Sequence, residues 1–230
     1  MGEVIKNGSQ TKYYKILNGG IVRDAFEGDA GAIKVNVKNP KTGIEKEKWV
    51  IPIFAIEGVI DSLKIIEQDM DGVKFKKVIL KIKDGNELLQ IETKFKTEHG
   101  ISLINRLAKF VKLDLKKTPI VIGSYKIKDK DSQRFNQGFY IHYGDEKISN
   151  YYTKDNMPVD TKWVEKTVNG ETVWDKTNYL RFFLAEAESV ITPYFENLKK
   201  QEPNESVEES KEVDYEEVFW FSISGKANKR

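Results

Sequence analysis

The residues of this chain whose types and spacing suit chemistry are aromatic side chains set among lysines. In V-K-F-K-K-V-I-L-K-I-K (73–83), Phe75, Lys77, Lys81 and Lys83 share one parity, while Val78, Leu80 and Ile82 share the other. Tyr125 stands beside Lys126, and Trp49, Tyr140 and Tyr143 lie on further β-type segments. A base stacked on an exposed ring gains roughly 1–3 kcal/mol, and a nearby lysine neutralises phosphate, so the pairing suits sequence-tolerant recognition of unpaired nucleic acid. These nine residues form the candidate nucleic-acid-binding set. Most strand aromatics are core, and Phe95 is assigned there because it shares the parity of Leu89, Ile91 and Thr93. Phe139, Ile141 and Tyr143 share one face and Tyr140 and His142 the other, so one of these sets must be buried.

A second chemistry competes for the same strands. Asp84, Glu92 and Lys94 reproduce the carboxylate, carboxylate and lysine order of magnesium-dependent PD-(D/E)xK nucleases, in which acids hold a hard cation and lysine positions the attacking water. Alternation already accounts for these residues as a solvated strand face, and no catalytic or metal-binding residue and no cofactor is assigned. The chain has no cysteine, which removes thiolate zinc sites and cysteine nucleophiles, and only two histidines, His99 and His142, far apart in sequence. It contains no G-x-x-x-x-G-K-[ST], H-E-x-x-H or G-x-S-x-G. Asp69-Met70-Asp71-Gly72 lacks the later glutamate of a calcium loop and reads as a turn.

The elements that must position the aromatic–lysine set read as strands with one helix among them. A strand over 58–67 leads into 73–83. Asp84-Gly85 turns the chain into an inward set of Leu89, Ile91, Thr93 and Phe95. The period then changes: Ile101, Ile104, Leu107, Ala108 and Val111 make a helical stripe capped by Thr97, which Thr118-Pro119 ends. Strands over 120–128 and 138–143 follow. Three strands, a helix and two strands is the order of an OB-fold, a Greek-key barrel whose helix sits between the third and fourth strands.

Upstream, 12–17 and 21–23 predict one hairpin and 32–37 and 48–54 a second, with Pro52 marking an edge or a bulge. Downstream, 147–153 predicts a strand, and 162–168 and 171–174 an added hairpin around Asn169-Gly170. Leu180, Phe183, Leu184, Ala187 and Ile191 predict a C-terminal helix that Pro193 kinks or ends, with Thr177 or Asp175 as its cap. The expected fold is mainly β.

Of the 230 residues, 32% are charged and 39% hydrophobic, as in a soluble globular protein. The net charge of +2 hides an asymmetry: 202–217 carry eight acidic residues and one lysine, which leaves the first 201 residues at +6. Residues 1–200 are expected to form the nucleic-acid-binding domain, with 1–10 disordered as a chain end. Residues 201–230 are expected to form an acidic, disordered tail, interrupted by V-F-W-F-S-I-S at 218–224. No apolar run approaches the roughly 18 residues a membrane span needs, and no signal-peptide region opens the chain, so a cytoplasmic protein without membrane partners is expected. A homo-oligomer is compatible with this composition.

Y-Y-K-I-L-N-G-G (13–20), G-V-I-D-S-L-K-I (58–65), Y-Y-T-K-D-N-M-P (151–158) and V-N-G-E-T-V-W-D (168–175) resemble segments of the single-stranded DNA-binding proteins of tailed phages, particularly crAss-like phages. The resemblance implies an OB-fold, non-specific coating of single-stranded DNA in replication or recombination, and host-cell cytoplasm as the location. It also implies an acidic tail that contacts replication or recombination proteins. The chain departs from that pattern in the aromatic cluster and basic end, G-K-A-N-K-R, that follow its acidic run. Two readings from other classes stand beside this one: the metal-dependent nuclease, and a structural or virion protein whose barrel mediates protein contacts.

Overall fold

The structure, a computed structural model, describes residues 11–38, 43–70, 72–130 and 134–201. The chain divides after Leu198 into two units, and of the second only its first three residues are described. The expectations for 1–10 and for the acidic tail from Glu202 onward lie outside the described residues.

Strand alternation holds where it was clearest. Val78, Leu80 and Ile82 are fully buried, and Leu89, Ile91, Thr93 and Phe95 after the turn are buried as well. In chain order the strands are β1 (Thr11–Leu17), β2 (Gly20–Asp24), β3 (Ile33–Lys38), β4 (Glu45–Ile53), β5 (Ile56–Met70), β6 (Val73–Asp84) and β7 (Glu87–Lys94). Helix α1 (Glu98–Lys112) follows, then β8 (Pro119–Lys128), β9 (Phe135–Tyr143), β10 (Glu146–Ile148), β11 (Val164–Val168) and β12 (Glu171–Asp175). The last helical stretch comprises α2 (Thr177–Glu186), a π turn (Ala187–Ile191) and α3 (Thr192–Lys200). The protein is mainly β, and no helix of the described residues is long and apolar enough to cross a membrane.

Among the described residues, ten strands form one mixed sheet in the order β10-β9-β8-β5-β6-β7-β1-β2-β4-β3. β1 runs parallel to β7, and the other pairs of the sheet are antiparallel. β2 and β8 touch although four strands separate them in that order, so the sheet curls back on itself. Its concave side holds a core that α1 completes with Leu103, Ile104, Leu107 and Phe110. Phe110, Phe139, Phe183 and Phe195 are fully buried, and truncating any one to alanine should cost about 3–5 kcal/mol.

Helix α1 begins as its sequence dictates, with the Thr97 hydroxyl accepting from the Gly100 N–H at 3.2 Å, a cap worth about 1 kcal/mol. It ends earlier than Thr118-Pro119, at Lys112, because Asp114 adopts a left-handed φ of 50°. Its Ser102 side chain bonds both backbone groups of Phe139, at 3.2 and 3.4 Å, so the helix satisfies the edge of β9 where β10 does not reach. Gly138 makes that approach possible, since a Cβ there would lie 2.6 Å from Ser102 Oγ.

Other expectations change on the structure. Pro52 sits where β3 pairing has stopped at Val50, so its missing N–H costs no bond on that side. The strand expected over 147–153 shrinks to Glu146–Ile148, because α1 takes over the backbone beyond it: Asn105 bonds the Tyr152 N–H and carbonyl at 2.7 and 2.9 Å. The added hairpin does not join the large sheet but forms its own two strands, β11 and β12. The helix runs through Pro193, whose missing N–H follows directly on the π turn. Neither expected residue is the cap of α2: Lys176 occupies that position without a side-chain cap bond, and Asp175, one residue before it, accepts the Thr177 N–H at 2.8 Å.

Candidate functional site

The expected site residues divide into three groups. Lys77, Lys81 and Lys83 lie together on the outer face of β6, in a field of counter-charges. Lys77 pairs with Glu92 at 2.7 Å, Gln90 supports the same carboxylate at 2.8 Å, and Lys83 reaches Asp61 at 3.5 Å. Ile79, which breaks the alternation, is nearly buried on this face between Lys64 of β5 and Glu92 of β7. The face is a largely self-neutralised ion-pair lattice, with Lys81 alone of the three making no ion pair among the described residues.

The second group is dispersed. Trp49 on β4 is half-buried, with the Lys34 ammonium 5.9 Å from its ring. Lys126 falls on the opposite face of β8 from Tyr125 and stacks on Phe135 at 4.6 Å. Tyr143 shares the face of β9 that carries the buried Phe139 and Ile141 and is half-buried against the core. Tyr140 faces outward one row beyond Tyr125, its hydroxyl donating to the Phe54 carbonyl at 3.1 Å and its ring edge-on to His142.

The third group comes together. Phe75 and Tyr125, on different strands, line two stretches of one groove along the N-terminal half of α2, joined where Lys96 and Leu180 line both. The Phe75 stretch, about 380 Å³, lies between β6 and α2 with Arg181 on its rim. The Tyr125 stretch, about 230 Å³, continues past Gln137 to Trp163, Lys176 and Tyr179. A third lobe of about 580 Å³ adjoins it across Trp163 and Tyr179. Lys96, Lys176 and Arg181 make no ion pair with any described residue, while Lys74 and Lys76 are held by Glu67 and Glu188.

Local sequence builds this wall. Asn169 and Gly170, at φ 52° and 83°, close the β11–β12 hairpin, and Trp163 precedes its first strand, 46% exposed. Asp175 accepts from Lys166 at 2.5 Å as well as from Thr177, which holds its carboxyl well below the usual carboxylate range. Both bonds fix Lys176 between them, with its ammonium 3.9 Å from the Trp163 ring centroid. Tyr179 meets the same indole edge-on, and burial raises its phenol. The 151–158 segment is pinned by Asn156, which accepts from the Thr153 N–H at 2.6 Å and donates to the Tyr151 carbonyl at 2.7 Å.

No family model, curated protein or solved structure matches the chain.

The nuclease-like residues are not brought together. Asp84 pairs with Glu87, and Glu92 lies five residues further along β7, about 17 Å away and on the opposite face. Glu92 is already spent on Lys77, and no group of three metal-ligating side chains occurs among the described residues. Asp69 accepts from the Gly72 N–H at 2.8 Å, as a turn requires. Sequence reasoning missed Trp163, Lys176, Tyr179 and Lys96. The adjacency of Lys162 and Trp163 was the available signal, the same lysine–aromatic pattern that selected Tyr125 and Lys126.

Proposed function

We propose that this protein binds single-stranded DNA without strong sequence preference, coating and protecting it in phage DNA replication or recombination. The groove carries the reading: exposed or half-exposed rings at Phe75, Tyr125 and Trp163 alternate along it with Lys96, Lys176 and Arg181, which make no ion pair among the described residues. Rings offer stacking surfaces to any base, and cations that no acid neutralises can displace the counterions of phosphate.

Strand pairing supports an OB-fold at the centre of the sheet. Taken as strands one to five, β5, β6, β7, β8 and β9 make the pairs one–two, two–three, one–four and four–five, with α1 between the third and fourth. The pair that closes such a barrel, three with five, is replaced. β1 occupies the free edge of β7, and β10 and Ser102 occupy that of β9. The phage setting rests on the sequence resemblance.

Fluorescence anisotropy with a labelled oligonucleotide, repeated across a salt series, tests the proposal. Single strands should bind tightly and duplex weakly, with the logarithm of affinity falling linearly with that of salt. Equal affinity for duplex, or no binding at low salt, would overturn it.

A further inference from the structure

The largest lobe of the groove has a character of its own. Trp163 and Tyr179 line both this lobe and the Tyr125 stretch, whereas Lys176, its ammonium 3.9 Å from the indole centroid, lines only the latter, so the indole borders the lobe where the ammonium does not. Met157 and Tyr152 supply apolar surface, and Asn105 and Thr161 there already spend their polar atoms on the Tyr152 backbone and the Pro158 carbonyl. The Asn150 amide makes no hydrogen bond with a described residue, and Lys154 and Lys162 make no ion pair with one. A flat ring that stacks on tryptophan, presents hydrogen-bonding edges and carries a phosphate matches this donor set, and about 580 Å³ accommodates one such unit.

We propose that this lobe seats a single unpaired nucleobase of the bound strand, stacked on Trp163, with its phosphate held by Lys154 and Lys162. The inference rests on the single-strand reading above and adds a discrete base seat to a groove otherwise indifferent to individual bases. Seating one base out of line would turn the strand at Trp163 and leave the flanking nucleotides for Tyr125 and Phe75.

The test is an NMR titration of the full chain that follows the indole N–H of Trp163, identified by its loss in Trp163→Phe. Thymidine 5′-monophosphate should move this signal, thymidine should move it at higher concentration, and inorganic phosphate should leave it in place. Lys154→Ala with Lys162→Ala, both exposed positions, should weaken the nucleotide about tenfold without changing thymidine. Oligothymidylate should displace the nucleotide. A nucleotide that leaves Trp163 unmoved while the oligonucleotide still binds would overturn the seat alone, and loss of both would overturn the single-strand reading with it. Nucleotide retained beside saturating oligonucleotide, or a shift with phosphate equal to that with nucleotide, would also refute the proposal.

Discussion

The outer face of β6 and the groove beside α2 carry the same residue types to different ends. On β6, Lys77 and Lys83 answer to Glu92 and Asp61, acids from the neighbouring strands β7 and β5. In the groove, Lys96, Lys176 and Arg181 stand among rings with no described acid paired to them. A lysine already paired on a strand face gains little by exchanging one carboxylate for a phosphate. The number of lysines on a face therefore says less about binding than how many lack a partner.

The strongest way to break this comparison is at the rings. Trp163→Ala should lose roughly 10- to 100-fold in oligonucleotide affinity, the equivalent of one stacked base, with the fold retained because the ring is half-exposed. Phe75→Ala and Tyr125→Ala should fall in the same range, measured by anisotropy alongside a urea midpoint. A full effect at Phe75 with none at Trp163 or Tyr125 would move the site back to β6.

Charge gives a smaller, sharper contrast. Removing Lys96 and Lys176 together should reduce the slope of log affinity against log salt by about two phosphate contacts, whereas Lys77→Ala should leave it unchanged. The reverse result would show that Glu92 releases Lys77 to the ligand.

How much of this was legible in the sequence follows from what alternation encodes. Period-two patterning placed Leu80 and Leu89 inside and Phe75 outside, because a strand side chain has only two directions. It is silent on which acid lies across from which lysine, since Glu92 reaches Lys77 only through the register of β6 on β7. The groove was hidden for the same reason: Phe75, Tyr125 and Trp163 are brought into line by α2, whose placement depends on tertiary packing of Phe183 and Ile191. Tyr125 and Lys126 show the converse, neighbours in sequence that the strand sends to opposite faces.

A pH dependence separates fold from site. His99 is buried at the start of α1 with Nε2 donating to the Gly19 carbonyl at 3.3 Å, and burial lowers its proton affinity below the usual 6.5. The folded state then resists the proton that the unfolded state accepts, so the His99 contribution is complete above about pH 6.5 and declines as pH falls below it. Urea midpoints should drop between pH 6.5 and 5.5 in the wild type and drop less in His99→Gln. Groove occupancy at saturating protein should stay constant over the same interval, and a parallel loss of both would tie the His99 turn to the site.

Photo-crosslinking of a bromodeoxyuridine-substituted single strand, with the attached residues read by mass spectrometry, most directly tests the claim that DNA lies in the groove rather than across β6. Crosslinks should concentrate at Trp163, Tyr125 and Phe75. Attachment confined to β6 between Lys77 and Lys83, with none in the groove, would contradict the account.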